Sequence, residues 1–300
     1  MKPKMLVPAV FLLCASVLPL QAADARIDSS GFKSGFKRTS DGVKLHYFEA
    51  GKGPALLFLP GWTGAAEFWA PQMRLLSSKW RVVSLDPRSQ GDSEKVQEGN
   101  YTERRARDVH EVIEALGLGP VVLIAWSRGV VESLSLVEQF GAASLRALVL
   151  VDGTLVRTPN DAAIRQFQQQ AKAMLRDRKK FVSEQVPSMF RRPHGKDLYH
   201  RIGEANLKTP TPTAIALQVD SLDRDSRPAL KRLDKPVLFI NRSGPGADAL
   251  AAILQKELPA GRLEIMDNVG HAVFLDDPER FNEILSGFLE TVADPSVRGR

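Results

Sequence analysis

The sequence contains almost no cysteine, and no long apolar segment follows its N-terminal region. Among its 300 residues the only cysteine is Cys14, so no intramolecular disulfide can form. After residue 22, no stretch approaches the roughly 20 apolar residues that a transmembrane helix needs. Internal repeats and low-complexity segments are absent as well. These absences exclude a disulfide-rich fold, a protein with several membrane spans and a repeat architecture.

Charge of one sign is only slightly in excess. The formal net charge is +6 at pH 7, and it would fall to +4 without Lys2 and Lys4. Residues 176–180 (RDRKK) form a basic cluster without interleaved aromatic residues, so we predict a solvated helix face rather than a phosphate-binding strip. We therefore expect no nucleic-acid partner. A content of 43% hydrophobic and 25% charged residues is typical of a globular chain with a full core.

The N-terminus has the pattern of an export signal. Lys2 and Lys4 precede an apolar stretch over residues 9–18, and Ala22 supplies a small residue at a cleavage position. A membrane anchor is the alternative, but the stretch is shorter than the ~20 residues that span a bilayer. We predict that residues 1–22 are a signal peptide and that the mature chain, which lacks Cys14, is periplasmic or secreted without a membrane span.

Apolar strands and amphipathic helices alternate along the rest of the chain, except in one segment. Between residues 154 and 227 no strand is evident, and apolar residues follow helical spacing. The alternation predicts an α/β fold with a mostly parallel, eight-stranded sheet covered on both faces, and a helical insertion over its carboxyl edge. The predicted strands span residues 36–39, 43–50, 55–59, 81–85, 145–151, 236–240 and 262–266, together with an apolar strand that starts at 121 and breaks at Ser127.

Ser127 is the most informative residue of the sequence. It ends an apolar strand that begins at Val121, and Ala125 and Gly129 stand two positions to either side. Small residues at these positions allow a sharp strand-to-helix turn that projects the serine hydroxyl away from the sheet. The pattern predicts a nucleophile, and the Arg128 N–H at the helix start is a candidate oxyanion donor.

A serine nucleophile needs a base, and His271 is the best candidate. It lies in a short loop directly after strand 262–266, at the sheet edge where such groups gather. Trp62, in the glycine-containing loop after strand 55–59, is our candidate for the second oxyanion N–H. The remaining histidines are predicted to be surface or core residues without the spacing of a metal-ligand pair: His46, His110, His194 and His200.

Four ordered motifs resemble the α/β-hydrolase superfamily, and the likeness extends from about Phe36 to the end of the chain. They are residues 60–64 (PGWTG), 86–93 (DPRSQGDS), 125–129 (AWSRG), and Gly270-His271 followed by Asp276, Asp277, Pro278 and Phe281.

The chain is most similar to the compact, cofactor-free esterase and haloperoxidase (perhydrolase) type with a helical cap. The resemblance implies a hydrolase core over residues 23–153 and 228–300 and a cap over 154–227, with neither cofactor nor metal. It also implies Ser127 as nucleophile, His271 as general base and the N–H groups of Trp62 and Arg128 as oxyanion donors.

The carboxylate of the triad departs from the family pattern. The usual aspartate follows the strand at 236–240 closely, whereas Asp248 comes several residues late and could already belong to the next helix. Some relatives place the acid one strand earlier, which corresponds to Asp152 at the end of strand 145–151. We favour Asp152 because the turn after 236–240 lacks an aspartate, and we keep Asp248 as the alternative.

These features predict an exported serine hydrolase that cleaves a small carboxylic ester, lactone or thioester through an acyl-enzyme. Perhydrolysis and carbon–carbon bond hydrolysis use the same groups and remain alternatives. A hydrolase-fold binding protein that has lost catalysis is a further alternative, because Ala125 and the missing turn aspartate depart from the pattern. The Arg128 side chain is expected either on the helix surface or in contact with an anionic part of the substrate.

Overall fold

The computed structural model describes residues 27–293. The predicted signal peptide, residues 1–22, and Cys14 within it lie outside this part of the chain. No helix within residues 27–293 has the length and apolar character that crossing a membrane requires.

A mostly parallel sheet of eight strands forms the centre of the molecule and confirms the predicted fold class. The described residues form ten strands, of which all but the short β7 and β8 belong to this sheet: β1 (Lys33–Arg38), β2 (Lys44–Ala50), β3 (Ala55–Leu59), β4 (Arg81–Leu85), β5 (Val121–Trp126), β6 (Leu145–Val151), β7 (Val156–Arg157), β8 (Arg224–Asp225), β9 (Val237–Arg242) and β10 (Arg262–Met266). The order in the large sheet is β1-β2-β4-β3-β5-β6-β9-β10. Strand β2 pairs antiparallel with β1 and β4, and the pairs from β4 through β10 are parallel.

Helices cover both faces of this sheet. They are α1 (Ala70–Leu76), α2 (Thr102–Ala115), α3 (Arg128–Phe140), α4 (Asp161–Arg176), α5 (Arg178–Ser188), α6 (Lys196–Leu207), α7 (Thr211–Asp220), α8 (Arg227–Leu230), α9 (Pro245–Glu257), α10 (Val273–Asp276) and α11 (Pro278–Ala293), with a 3₁₀ turn over Ala66–Trp69. Every residue of β3 and β5 is buried. Continuous apolar runs of this kind suit central strands that pack against helices on both sides.

Each face of the sheet has its own apolar core. On one face Trp69 stacks on Phe274 at 3.9 Å between ring centroids, and Phe281 of α11 packs beside them. On the other face, α2 and α3 pack against each other and against the sheet through residues such as Val109 and Leu134. The two cores hold the carboxyl ends of β3, β5 and β6 next to one another, and this edge carries the candidate site.

The insertion contains four helices, α4 to α7, and also a short ladder that the sequence did not predict. Val156 pairs with Asp225 and Arg157 with Arg224 in an antiparallel ladder of two-residue strands. The expectation that no strand occurs between residues 154 and 227 was therefore wrong. Two residues are too few to produce a recognisable alternation of apolar and polar side chains. The ladder joins the two ends of the insertion at its base.

Candidate active site

Ser127 occupies a strained turn between β5 and α3. Its φ is 55° and its ψ is −113°, a backbone conformation that a residue with a side chain rarely adopts. The turn is held because the Ser127 N–H donates to the Val151 carbonyl at 2.9 Å. A Cβ on Gly129 would lie 3.1 Å from the Pro60 oxygen, so a glycine there lets the helix approach β3 closely. The strain projects the hydroxyl beyond the sheet edge.

His271 connects Ser127 to Asp152. The His271 Nε2 atom lies 2.8 Å from Ser127 Oγ, and its Nδ1 atom lies 2.6 Å from Asp152 Oδ2. With Nδ1–H donating to the carboxylate, Nε2 is free to accept the serine proton. Each residue follows the carboxyl end of a different strand: β5, β6 and β10. The structure thus brings three of the residues predicted for the site into one hydrogen-bonded chain.

The two candidate aspartates occupy different environments. Asp152 is nearly buried, its N–H donates to the Ile240 carbonyl at 2.8 Å, and its Oδ1 accepts the Arg242 N–H at 3.3 Å. Asp248 lies in the first turn of α9, which begins at Pro245, and its side chain is exposed. The buried positions around it are Ala247 and Leu250, so Asp248 lies on the outer side of α9. The geometry places Asp152, and not Asp248, against His271.

The loop containing His271 is held by a buried carboxylate. Asp276 Oδ2 accepts the Gly270 N–H at 2.6 Å and the Arg191 N–H at 2.8 Å, and Oδ1 contacts His194 Nε2 at 2.8 Å. Burial alone would raise the pKa of Asp276, but these donors outweigh it and lower the pKa. An ionised Asp276 therefore connects the cap loop at Arg191 to the loop of the base.

The two predicted oxyanion donors face the same cavity as Ser127. Trp62 and Arg128 both line it, and among residues 27–293 no backbone carbonyl accepts the N–H of either residue. A Cβ on Gly61 would lie 3.0 Å from Ser127 Cβ, so a glycine at this position allows the loop to approach the serine. Unpaired N–H groups beside a nucleophile suit the stabilisation of a developing oxyanion.

A buried glutamine fixes the loop that carries Trp62. Gln90 Nε2 donates to the Gly61 carbonyl at 3.0 Å and to the Gly64 carbonyl at 2.7 Å, and Gln90 Oε1 accepts from Arg105 Nη2 at 2.6 Å. Burial lowers the pKa of Arg105 against the opposing effect of Glu132, whose carboxylate lies 2.6 Å from Arg105 Nε. Gln90 was not among the predicted site residues, because in the sequence only its place within the 86–93 motif singles it out.

The Arg128 side chain is buried between α3 and the insertion. It is only 6% exposed, so the prediction of a helix-surface residue was wrong. Its guanidinium pairs with Glu132 at 3.1 Å and Asp220 at 2.7 Å, and it donates to the Leu217 carbonyl at 2.5 Å. With these acceptors, and Ser221 and Thr102 as further acceptors, the group has little capacity left for a substrate anion. It connects α3 to α7 of the insertion.

Only part of the basic cluster at residues 176–180 forms the solvated helix face that we predicted. Lys179 and Lys180 are exposed, whereas Arg178 is half-buried. The Arg178 guanidinium lies 5.6 Å from the ring centroid of Trp62, and burial lowers its pKa. Trp62 Nε1 also donates to the Ala214 carbonyl at 2.8 Å. The insertion therefore holds the Trp62 side chain from two helices.

A cavity of about 840 Å³ opens in front of Ser127. Its floor is the sheet edge, with Ser127, Asp152 and His271, and the insertion contributes Met189 and Phe190 to its wall. This volume accommodates a small organic molecule.

Comparison with known proteins agrees with this geometry. A model of the alpha/beta hydrolase family matches residues 56–284. This chain belongs to the α/β-hydrolase family. The non-heme chloroperoxidase CPO-A1 of Kitasatospora aureofaciens is 24% identical over 273 residues, which cover 84% of this chain and 98% of that protein. Serine hydrolase BPHL of Homo sapiens is 26% identical over 260 residues, 83% of this chain and 84% of that one.

The fold of this hydrolase also agrees with solved structures. An esterase from Exiguobacterium antarcticum superposes with a TM-score of 0.79 at 22% identity, over 85% of this chain and 98% of that chain. At this identity the likeness establishes the fold alone. The resemblance to the esterase and haloperoxidase type is thereby confirmed at the level of the superfamily.

In the described part of this α/β hydrolase, one group of side chains is close enough to hold a metal ion. It consists of His46, Asp86 and Asp92. Asp86 Oδ2 already contacts His46 Nδ1 at 2.7 Å and accepts the Asp92 N–H at 2.9 Å, and Asp92 pairs with Lys208 at 2.7 Å. Because the ligand atoms are used within the protein, the group stabilises a loop and is a poor metal site.

Proposed function

We propose that this protein is a serine hydrolase that cleaves a small carboxylic ester, lactone or thioester through an acyl-enzyme. The observation that carries the proposal is the hydrogen-bonded chain from Ser127 Oγ through His271 to Asp152, with distances of 2.8 and 2.6 Å. It lies in a cavity that Trp62 and Arg128 also line, and their N–H groups donate to no backbone carbonyl of residues 27–293. The human relative BPHL is named a serine hydrolase, which supports the same reaction class.

In the proposed reaction, His271 Nε2 takes the proton of Ser127 Oγ as that oxygen attacks the carbonyl carbon. The N–H groups of Trp62 and Arg128 stabilise the oxyanion of the tetrahedral intermediate. The intermediate collapses to the acyl-enzyme, and His271 gives its proton to the leaving oxygen or sulfur. Water, deprotonated by His271, then attacks the acyl group, and His271 returns the proton to Ser127 Oγ as the bond to the acid breaks. Asp152 remains ionised and stabilises the imidazolium.

The test is pre-steady-state hydrolysis of p-nitrophenyl esters of increasing acyl length. We expect a burst of nitrophenol close to one equivalent per enzyme, because acylation precedes slower release of the acid. Ser127→Ala should show neither burst nor turnover. Absence of turnover by the folded wild-type protein on every ester would instead favour a binding protein without catalysis.

Perhydrolysis is a second candidate, and the chloroperoxidase relative is the observation that favours it. Hydrogen peroxide would replace water in the second step and release a peracid, with His271 accepting the peroxide proton. Adding peroxide to the ester assay and measuring peracid separates this activity from plain hydrolysis. A β-diketone in the same panel tests carbon–carbon bond cleavage, which would use the same residues.

Export remains part of the proposal and depends on residues 1–22. We propose a periplasmic or secreted location after cleavage behind Ala22. N-terminal sequencing of the protein recovered from cell fractions checks this: a mature chain beginning at Ala23 supports export, and an uncleaved chain in the cytosolic fraction contradicts it.

A further inference from the structure

The cavity in front of Ser127 has an excess of positive charge. Four arginines line it, namely Arg128, Arg157, Arg191 and Arg242, whereas Asp152 is the single carboxylate among the described residues that form its wall. Cavity walls of one sign focus the electrostatic potential and attract ligands of the opposite sign. The excess can serve recognition only if some of these guanidinium groups are free of protein partners.

Two of the four arginines already have protein partners. Arg128 pairs with Glu132 and Asp220, and Arg242 Nε lies 3.4 Å from Asp152 Oδ2. Their positive charges are therefore compensated within the protein.

Arg157 has no such compensation. It lies on β7 at the base of the insertion, and no carboxylate within residues 27–293 forms an ion pair with it. The Arg157 side chain is exposed in the open cavity, where desolvation by the surrounding protein and, after it, the positive charge of Arg128 lower its pKa. Its cross-strand neighbour Arg224, which does not line the cavity, pairs with Glu103 at 2.8 Å. In this ladder, the arginine that lines the cavity therefore lacks a carboxylate partner among residues 27–293, whereas the arginine outside the cavity has one.

Arg191, in the loop between α5 and α6, repeats this contrast. Its N–H donates to Asp276, which fixes the backbone, but its exposed guanidinium has no carboxylate partner among the described residues. The next residue, Arg192, does not line the cavity and pairs with Asp277 at 2.6 Å. In both pairs of neighbouring arginines, the one outside the cavity has a carboxylate partner and the one that lines the cavity has none among residues 27–293.

We propose that the substrate of this hydrolase carries a carboxylate in addition to its scissile ester, and that Arg157, together with Arg191, binds this carboxylate. The inference rests on the proposed function, since it specifies the substrate class of the same site. A planar guanidinium is well suited to the task because it can donate two parallel hydrogen bonds to a carboxylate. A bound carboxylate would also supply the counter-charge that Arg157 lacks.

The experiment compares kcat/KM for two pairs of esters that differ in one negative charge. Monomethyl and dimethyl glutarate place the charge on the acyl group, and 4-carboxyphenyl acetate and phenyl acetate place it on the leaving group. We expect the kcat/KM of the wild type to be at least about tenfold higher for the anionic member of one pair. A preference within the glutarates would place the carboxylate on the acyl group, and a preference within the phenyl acetates would place it on the leaving group. Arg157→Gln should reduce this preference by about 10- to 100-fold, mainly through KM.

Arg224→Gln is the matched control. It removes the same charge from the neighbouring position of the same ladder, outside the cavity, and should leave the ratio of anionic to neutral kcat/KM as in the wild type. Arg157→Lys should restore part of the preference because it restores the charge but not the two-pronged geometry. The preference should also weaken as ionic strength rises.

Equal kcat/KM for the members of both pairs in the wild type would overturn the proposal, as would equal effects of Arg157→Gln on anionic and neutral esters. Turnover of the neutral esters in that case would leave the proposed hydrolase function intact. A calorimetric titration of Ser127→Ala with monomethyl glutarate and 4-carboxyphenyl acetate adds a readout independent of turnover. Binding that is lost in Ser127→Ala/Arg157→Gln supports the carboxylate site, and no binding of either ester contradicts it.

Discussion

Within residues 27–293, two Ser–His–Asp arrangements have almost the same distances, and only one of them has the surroundings of a candidate active site. In the first, His271 lies 2.8 Å from Ser127 and 2.6 Å from Asp152. In the second, His46 Nε2 lies 2.9 Å from Ser34 Oγ and His46 Nδ1 lies 2.7 Å from Asp86. Hydrogen-bond distances alone therefore do not distinguish a catalytic site from a structural one.

The backbone around the serine is the first difference. Ser34 is part of β1 and pairs in regular register with Phe48 of β2, whereas Ser127 is held at a φ of 55° on the turn before α3. Strain of this kind persists only where the surrounding structure enforces it, and it is common at functional sites. Only Ser127 also faces the cavity that Trp62 and Arg128 line.

The histidine and the carboxylate differ as well. The His46 side chain is 3% exposed, and the His271 side chain is 29% exposed, so only His271 can exchange protons with a substrate and water. Asp86 also accepts the N–H groups of Ala66 and Asp92, at 2.6 and 2.9 Å. The Ser34 arrangement thus joins a hairpin to a loop, and the Ser127 arrangement can do chemistry.

The largest difference in activity is expected between variants of the two serines. We expect Ser127→Ala to lower kcat/KM for p-nitrophenyl acetate by about 10⁴-fold or more, because no other group replaces the nucleophile. Ser34→Ala should stay within about threefold of the wild type, since that hydroxyl lies outside the cavity. Steady-state assays of the two purified variants test this prediction. Comparable losses of kcat/KM in both variants would contradict the assignment of different roles to the two serines.

The next largest effect concerns the carboxylate. Asp152→Asn should lower kcat by about 10³- to 10⁴-fold, because the amide cannot hold His271 in the reactive tautomer or stabilise the imidazolium. Asp248→Asn, a change of the same kind on the exposed face of α9, should alter kcat by less than about twofold. Should Asp248→Asn prove inactive while Asp152→Asn keeps its rate, the assignment of the acid is wrong.

A smaller effect is expected from the glutamine that positions the oxyanion loop. Gln90→Leu should lower kcat by about 10- to 100-fold with little change in KM, since misplacing one oxyanion donor acts mainly in the transition state. Gln72→Leu is the control, because Gln72 is also fully buried and donates to the Phe274 carbonyl at 3.0 Å, away from Gly61 and Gly64. A similar loss of kcat in both variants would show that Gln90 has only a structural role.

The smallest effect on catalysis is expected at the second histidine. His46→Leu should lower the free energy of unfolding by about 1–3 kcal/mol, because the hydrogen bonds to Ser34 and buried Asp86 are lost. Its kcat should remain within about threefold of the wild type. His271→Ala should show the opposite pattern, with kcat abolished and stability nearly retained. Urea denaturation and steady-state kinetics of both variants test this opposite pattern of stability and kcat.

Much of this architecture could be predicted from the sequence because it depends on local patterns. The apolar strand that breaks at Ser127, between Ala125 and Gly129, indicates the turn without any long-range information. The position of His271 after the last strand follows from the rule that polar groups gather at the carboxyl edge of a parallel sheet. These predictions need only the order of strands and helices.

What could not be predicted depends on contacts between distant parts of the chain. Asp152 and Asp248 both follow strands, and only the packing of α9 turns Asp248 outward. Gln90 depends on carbonyls about 26 to 29 positions away. Arg128 was misplaced because its partner Asp220 is separated from it by 92 positions, and no periodicity reveals such an ion pair.

Covalent labelling with a serine-directed fluorophosphonate, followed by intact mass measurement and peptide mapping, tests directly whether Ser127 is the nucleophile. We expect one label per chain on the peptide that contains Ser127, in the wild type and in Ser34→Ala alike, and no label in Ser127→Ala. Labelling of Ser34, or a folded wild-type protein that takes up no label, would contradict it.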